Sequence, residues 1–177
     1  MEETKKTLVI NLLGGPCTGK SAMASAIFSE LKFDGFNAEL VPEYAKGMTW
    51  QSSLKVLQNQ IYVFGKQHQY LTRPKDQVRV IITDSPLLLS VVYDQENNVE
   101  LRNLVLKEFR SMNNFNIFLT RSHAYQQAGR TQSLEEAVQV DQKILDTLEE
   151  CRVDHIRLAS GRESVKKIVE EIKNKLN

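Results

Sequence analysis

The chain has 177 residues, 23 of them basic and 22 acidic, so its net charge is +1 and its length suits one domain with its own core. This near-neutral balance excludes a surface that is basic throughout, as in a dedicated nucleic-acid-binding protein. Two cysteines, Cys17 and Cys151, do not make a disulfide framework or a zinc site, and no stretch approaches the roughly 20 apolar residues that span a bilayer. We therefore expect a soluble, cytoplasmic protein with one domain over residues 1–177 and no membrane partner.

Apolar runs of strand length alternate with helix-like segments along the chain. The runs occupy residues 8–13, 38–41, 78–83, 117–120 and 155–158. Strands that alternate with crossover helices form a parallel sheet, and a continuous run such as Val80-Ile81-Ile82 suits a strand buried on both faces. The sequence therefore predicts an α/β fold in which helices cover both faces of a central parallel sheet of five strands.

A glycine-rich loop lies between the first predicted strand and the first predicted helix. It has the spacing G-x-x-x-x-G-K-S and reads Gly14-Gly15-Pro16-Cys17-Thr18-Gly19-Lys20-Ser21. Glycines let the backbone wrap so that its N–H groups point at phosphate oxygens, and the following helix adds the positive end of its dipole. Lys20 would supply a positive charge for the β- and γ-phosphates, and Ser21 a hydroxyl for the shell of Mg²⁺. These residues predict the binding of ATP and Mg²⁺.

Acidic side chains follow the second and third predicted strands, at the edge of the sheet where open α/β folds bind ligands. Asp84 ends an apolar strand and can hold Mg²⁺, although an aspartate before Ser85-Pro86 can also cap a helix. Glu43 follows the second strand and can accept the proton of a hydroxyl that attacks the γ-phosphorus, whereas a solvated glutamate is the simpler alternative. We predict that both carboxylates act in catalysis together with Lys20.

A polar segment over residues 121–133 follows the fourth predicted strand. It contains Gly129 and two arginines, Arg121 and Arg130, a composition suited to a lid over phosphates. The planar guanidinium group can neutralise charge on the phosphoryl oxygens during transfer. We therefore predict that Arg121 and Arg130 take part in catalysis, with solvated arginines as the alternative.

A long insert over residues 44–76 separates the second and third predicted strands. Its stretch 53–71 carries apolar residues at near-helical spacing, which predicts one or two helices beside the cleft. Side chains that could stack on, or hydrogen-bond to, the base of an acceptor are Tyr44, Trp50, Gln60 and Tyr62. Core packing is the alternative for Tyr62, and anchoring of the insert is the alternative for Trp50. The residues assigned to the core outright are Phe64, Phe115 and Phe118.

Four groups of residues are similar to those of the small P-loop kinases of the nucleoside and nucleotide kinase group, and within it to the ribosylnicotinamide-kinase-like domains often found in phages. They are the loop Gly14 to Ser21, Val41-Pro42-Glu43-Tyr44-Ala45-Lys46, Thr83-Asp84-Ser85-Pro86, and Phe118-Leu119-Thr120-Arg121 leading to Gly129-Arg130. The resemblance implies a three-layer P-loop fold with the strand order 2-3-1-4-5 and a lid. It also implies that ATP and Mg²⁺ phosphorylate an acceptor hydroxyl or phosphate.

The same resemblance implies roles for single residues. Glu43 would be the base on the acceptor side and Asp84 the carboxylate on the Mg²⁺ side. Gln60 resembles the base-reading glutamine of deoxynucleoside kinases only through its distance upstream of Asp84. One departure is that Ser85 follows Asp84, where deoxynucleoside kinases usually carry an arginine.

Other functions compete with that of a nucleoside or nucleotide kinase. A regulatory GTPase would carry N-K-x-D after a strand, and a ring-forming ATPase usually has paired acids at the end of the third strand; this chain has neither. A kinase acting on a hydroxymethylated base in DNA stays open, because basic residues surround the insert at Lys46, Lys55, Lys66, Arg73, Lys75 and Arg79. A non-catalytic ATP-binding or sensing module also stays open. We expect a nucleoside- or nucleotide-like small molecule as the acceptor, in preference to nucleic acid, and a homodimer as a possible assembly.

Overall fold

The computed structural model describes residues 6–50, 54–122 and 133–176, apart from the side chains of Trp50 and Leu54. In this part of the chain, five strands form one parallel sheet in the order β2-β3-β1-β4-β5. The strands are β1 (Leu8–Leu13), β2 (Ala38–Val41), β3 (Val80–Thr83), β4 (Asn113–Thr120) and β5 (Ile156–Ala159). The predicted α/β class, the parallel sheet and its strand order are therefore confirmed.

Helices connect the strands and cover both faces of the sheet. In chain order they are α1 (Lys20–Phe33), α2 (Tyr44–Trp50), α3 (Leu54–Gln58), α4 (Gln60–Thr72), α5 (Leu89–Tyr93), α6 (Val99–Arg110), α7 (Leu134–Glu150) and α8 (Arg162–Leu176). None of these described helices is long and apolar enough to cross a membrane.

Two hydrophobic cores lie on opposite faces of the sheet. Ile10 and Leu12 of β1 enter the core that α1 and α8 close, whereas Val9 and Leu13 enter the core that α4 to α7 close. This alternation follows from the two-residue period of a strand, and it explains why β1, buried on both faces, is apolar at every position except Asn11. The core assignments are confirmed, since the first core contains Phe115 and the second contains Phe64 and Phe118.

β4 is longer than predicted because polar residues form its first half. The apolar run predicted a start at residue 117, but the strand begins at Asn113 and pairs with β1 from there. Asn11 Nδ2 of β1 donates to Asn114 Oδ1 at 2.8 Å and to Asn116 Oδ1 at 2.9 Å. Because these amides pair between strands, the half-buried Asn114 and the buried Asn116 fit into β4 without a large desolvation penalty.

The described part of the insert contains three helices: α3 and α4 account for the one or two helices that the apolar spacing predicted, and α2 precedes them. The sequence did not predict α2, because this helix includes Gly47 and Thr49, which are both poor helix formers. α3 and α4 are separate because Asn59 between them has a non-helical backbone, and its side chain accepts the Tyr62 N–H to cap α4.

Candidate functional site

The glycine-rich loop wraps tightly at the carboxyl end of β1. Gly14 has a φ of +142° and Gly19 a φ of +82°, values that residues with a side chain rarely adopt. A Cβ atom on Gly14 would lie 2.7 Å from Thr18 Oγ1 and 2.9 Å from the Leu119 carbonyl oxygen. Thr18 Oγ1 itself donates to the Gly15 carbonyl at 2.9 Å. The predicted phosphate-binding loop therefore has the strand–loop–helix setting and the backbone shape that its motif requires.

Lys20 begins α1 and turns its ammonium group back onto the loop. Its Nζ donates to the carbonyl oxygens of Gly14 at 2.6 Å and Gly15 at 3.0 Å. An ammonium group has three donors, so these two bonds fix Nζ against the loop and leave one donor for a ligand. Burial lowers the pKa of Lys20, and the carboxylates of Glu43 and Asp84 oppose that shift. The two predicted catalytic carboxylates therefore lie near this cation.

Ser21 and Asp84 bring two oxygen ligands together beside the loop. Ser21 Oγ donates to Asp84 Oδ2 at 2.5 Å. Asp84 is only 6% exposed, and its buried Oδ1 has no hydrogen-bond partner among the residues that the structure describes. A buried carboxylate oxygen without a partner is costly unless a cation or another group satisfies it. Because Mg²⁺ prefers oxygen ligands and keeps several waters, this hydroxyl and carboxylate fit a Mg²⁺ ion.

Two other observations bear on the metal site. The helix after Asp84 begins only at Leu89 and has no side-chain cap, so Asp84 does not serve as its cap. Within residues 6–50, 54–122 and 133–176, no group of three or more His, Cys, Asp or Glu side chains could hold a metal ion. Among the described residues, Ser21 and Asp84 are the candidate ligands for Mg²⁺.

Glu43 follows β2 at the same edge of the sheet as Asp84. β2 and β3 run parallel with Val41 opposite Thr83, so the residues after them leave the sheet side by side. Burial raises the pKa of Glu43; the Lys20 ammonium opposes this shift and the Asp84 carboxylate adds to it. A carboxylate whose pKa is raised takes up a proton more readily than an exposed one, which is the property of a base.

Arg121, directly after β4, contacts the glycine-rich loop and α7. Its Nε and Nη2 donate to the Pro16 carbonyl at 3.1 and 2.8 Å, and Nη2 also donates to the Ala137 carbonyl at 3.1 Å. Its Nη1 forms an ion pair with Asp141, whose Oδ1 accepts the Gly15 N–H at 2.6 Å. The guanidinium group therefore lies beside the predicted phosphate site but is engaged with protein oxygens. Its action on a phosphoryl group stays a prediction.

Asp141 is a site residue that the sequence analysis missed. It lies on α7, which begins with a capping box in which Ser133 and Glu136 accept each other's backbone N–H groups. A Cβ atom on Gly15 would lie 2.7 Å from Asp141 Oδ1, so only glycine lets α7 come this close. In the sequence Asp141 looks like the exposed Asp146 of the same helix, and nothing local distinguishes them.

The predicted acceptor side chains have different environments. Tyr44 is 9% exposed, and its ring packs edge-on against Tyr62 and Tyr70 with centroids 5.9 Å apart in each pair. The hydrogen bond from the Tyr44 hydroxyl to that of Tyr62 raises the pKa of Tyr44 to about 12. Tyr62 is 44% exposed, which excludes core packing for it. Gln60 Nε2 donates to the Leu57 carbonyl at 2.7 Å, a local contact at the start of α4.

Two further residues near Glu43 carried no sequence signal. Tyr93 ends α5, and burial raises its pKa to about 12, with contributions from the Glu43 and Asp141 carboxylates. Gln67 of α4 is 3% exposed and bonds to the backbone next to Glu43. A lone tyrosine or glutamine in a helix belongs to no motif, so only the fold identifies these two.

Other predicted site residues lie outside the described part of the chain. These are Arg130, within residues 123–132, and the side chain of Trp50. The lid predicted over residues 121–133 is therefore described only at its two ends. The roles of Arg130 and Trp50 stay predictions.

Solved structures with a similar fold include kinases. The crystal structure of APE1195 has a TM-score of 0.54 and 16% identity, and the match covers 98% of each chain. The APS kinase CysC of Mycobacterium tuberculosis, in complex with AMPPNP and APS, has a TM-score of 0.54 and 14% identity over 97% of this chain and 98% of that one. The thymidylate kinase of Ehrlichia chaffeensis has a TM-score of 0.61 and 11% identity over 97% and 99%. At such identities the likeness concerns the fold alone.

Comparison by sequence found no match to this chain among curated proteins. A family model described as an AAA domain matches residues 9–166, a span that runs from β1 into α8 and includes the glycine-rich loop, Glu43, Asp84 and Asp141. The chain therefore belongs to the AAA domain family, and its fold is similar to the folds of an APS kinase and a thymidylate kinase.

Proposed function

We propose that this protein is a kinase that uses ATP and Mg²⁺ to phosphorylate a hydroxyl or phosphate of a nucleoside- or nucleotide-like acceptor. The observation that carries the proposal is the convergence of Lys20, Asp84 and Glu43 at one edge of the sheet, with Ser21 bonded to Asp84. A phosphate-binding cation, a metal ligand and a base are the parts that phosphoryl transfer needs. The similarity of fold to an APS kinase and a thymidylate kinase supports the same class of reaction.

The loop and Lys20 would bind the phosphates of ATP. Backbone N–H groups of residues 14–21 and the amino end of α1 favour anions, and the remaining donor of Lys20 would reach the β- and γ-phosphates. Ser21 and Asp84 would hold Mg²⁺, which when bound neutralises charge on the phosphate oxygens. Arg130, and Arg121 if released from Asp141, would add positive charge.

The transfer step forms one bond and breaks one. The acceptor oxygen bonds to the γ-phosphorus while the bond from that phosphorus to the β–γ bridging oxygen breaks, and its electron pair leaves with ADP. If the acceptor is a hydroxyl, its proton passes to the Glu43 carboxylate. A phosphate acceptor is already ionised and needs no base, so the placement of Glu43 favours a hydroxyl.

The acceptor would lie next to Glu43. Tyr44, Tyr62 and Tyr93 offer aromatic surface there, and Trp50 and Gln60 remain candidates for contact with a base. Because the ribosylnicotinamide-kinase-like resemblance concerns the same motifs, ribosylnicotinamide is one acceptor to test.

The test is transfer of the γ-phosphate from labelled ATP with Mg²⁺ to a panel of acceptors. The panel contains nucleosides, nucleoside monophosphates, ribosylnicotinamide and DNA with hydroxymethylated bases, and Lys20→Ala is the negative control. We expect one class of small molecule to be labelled. Labelling of the DNA alone would make this a kinase of modified DNA. ATP binding with no labelled acceptor would instead support the non-catalytic sensing module.

A further inference from the structure

Gln67 is a buried polar residue whose amide spans the backbone on both sides of Glu43. It lies in the middle of α4 and is 3% exposed. Its Oε1 accepts the Tyr44 N–H at 2.9 Å, and its Nε2 donates to the Pro42 carbonyl at 3.2 Å. The donor and the acceptor of one side chain are therefore both used by the segment that carries the candidate base.

These two bonds restrain the backbone of Glu43 itself. The Pro42 carbonyl belongs to the peptide group that precedes the Glu43 Cα atom, and the Tyr44 N–H belongs to the peptide group that follows it. The two soft dihedral angles of Glu43 lie between these peptide groups. One rigid amide that bonds to both therefore restricts both angles, and with them the direction in which the carboxylate leaves the chain.

Packing on the same helix supports this restraint. The Tyr44 ring lies edge-on to Tyr62 and Tyr70, which belong to α4 as Gln67 does. α4 therefore holds residue 44 by its ring and by its backbone N–H. A buried amide costs free energy unless its polar atoms are paired, so an apolar side chain would fill this place more simply if packing were the sole requirement.

We propose that Gln67 is a positioning residue for Glu43: it fixes the backbone at Pro42 and Tyr44 so that the Glu43 carboxylate is held toward the acceptor. The inference rests on the proposed role of Glu43 as the base. Gln67 does not touch the reacting atoms, and it acts only through the segment it holds. Misplacement of a catalytic group by about 1 Å can lower the rate about 100-fold, so such a restraint has a measurable consequence.

The experiment compares three variants of the full chain. Gln67→Met keeps the length of the side chain and removes both hydrogen bonds. Gln67→Leu also removes both hydrogen bonds, with a side chain of different shape and no buried polar atom, so it provides a second variant if Gln67→Met folds poorly. Gln69→Met makes the same chemical change at an exposed position of α4 and is the matched control.

The first readout is steady-state transfer to the acceptor found with the panel. We expect Gln67→Met and Gln67→Leu each to lower kcat about 10- to 100-fold with the KM for ATP unchanged. Gln69→Met should match the wild type. In the Glu43→Gln background, Gln67→Met should have no further effect on kcat, because the group it positions is gone. A wild-type kcat in both Gln67 variants, or an equal loss in the Glu43→Gln background, would overturn the proposal.

The second readout does not need an acceptor. Amide hydrogen exchange at Tyr44 should be faster in Gln67→Met than in the wild type and in Gln69→Met, since the N–H loses its partner. Unchanged exchange at Tyr44 would overturn the restraint even if transfer is seen. If no acceptor is labelled but exchange at Tyr44 accelerates, the proposed kinase function fails while the restraint on residue 43 stands.

Discussion

The two sides of the proposed site, one for the nucleotide and one for the acceptor, are built in different ways. The donor side, which we define as residues 14–21 with Asp84, comes mainly from one continuous run of the chain. Its hydrogen bonds join residues that are close in sequence, such as Lys20 with Gly14 and Gly15. The acceptor side, which we define as Glu43, Tyr44, Gln67 and Tyr93, comes from the end of β2 and from three helices, α2, α4 and α5. The donor side is thus a local motif, whereas the acceptor side is an assembly.

This difference suggests how the site divides its tasks. A local loop that binds phosphates can be shared by many P-loop proteins, because every nucleoside triphosphate offers the same phosphates. An acceptor side that depends on separate helices can change without disturbing the loop. If this division holds, variants on the two sides should separate transfer from nucleotide binding.

The largest effect is expected for Glu43→Gln. It removes the base and keeps the size of the side chain, so transfer should fall about 10²- to 10⁴-fold while the affinity for ATP is unchanged. Transfer rates and binding of a fluorescent ATP analogue would be measured in parallel, with Glu39→Gln as the control because Glu39 is an exposed glutamate of β2, the strand that precedes Glu43. A wild-type transfer rate in Glu43→Gln would remove Glu43 from the mechanism.

Lys20→Ala should impair both phosphoryl transfer and ATP binding, whereas Glu43→Gln should impair transfer alone. It removes the cation that bonds to the loop, so transfer should fall about 10²- to 10³-fold and ATP affinity should drop as well. Lys32→Ala, at an exposed site of the same helix, should change neither. Retained ATP affinity in Lys20→Ala would contradict the division between the two sides.

Asp84→Asn tests the proposed metal site. It removes the negative charge from the buried carboxylate that carries the unpartnered Oδ1. The Mg²⁺ concentration that gives half-maximal transfer should rise about tenfold or more, which corresponds to about 1.4 kcal/mol. Chelation of Mg²⁺ should abolish transfer in the wild type. The same Mg²⁺ dependence in variant and wild type would place the metal ligand elsewhere.

Asp141→Asn tests the contact between α7 and the loop. Asp141 and Arg121 are partly buried, with side chains 18% and 15% exposed, and the change leaves the guanidinium without its ionic partner. The free energy of unfolding should fall by about 1–3 kcal/mol in urea titrations. The exposed Asp146 accepts a bond from Gln142 on the same helix, and Asp146→Asn should cost less than about 0.5 kcal/mol. Equal losses of unfolding free energy in the two variants would show that the ion pair between Arg121 and Asp141 stabilises the fold no more than the exposed bond of Asp146 does.

The smallest effect concerns the pH dependence. Burial and Asp84 raise the pKa of Glu43, while Lys20 and Lys46 lower it, and burial is the largest cause. The base is active only when ionised, so kcat/KM should decline as the pH falls through this raised pKa. Its acid-side inflection should lie above the value of about 4.3 for an exposed glutamate. An inflection at or below that value in the pH profile would show that Glu43 is solvated.

Much of the fold could be predicted because runs with apolar residues, separated by helix-like segments, marked its strands. The runs of β1 and β3 are buried along their whole length, whereas β5 is mostly exposed, and the glycine-rich loop marked the first βα turn. The predictions were wrong where polar residues enter regular structure. Asn114 and Asn116 belong to β4 and accept hydrogen bonds from Asn11 of β1, and Gly47 lies in a helix that its propensity disfavours. Partners of this kind lie far apart in sequence and leave no periodic pattern.

The phosphate-binding loop and the candidate residues at the strand ends could be identified from the order of the amino acids alone. The loop motif is local, and parallel strands all end at the same edge, so Lys20, Glu43 and Asp84 had to lie near one another. The pairing of Arg121 with Asp141 beside the loop, and the two bonds of Gln67 on either side of Glu43, became visible only in the folded chain. Those contacts join residues from different helices and strands, and their geometry depends on how the helices pack against the sheet.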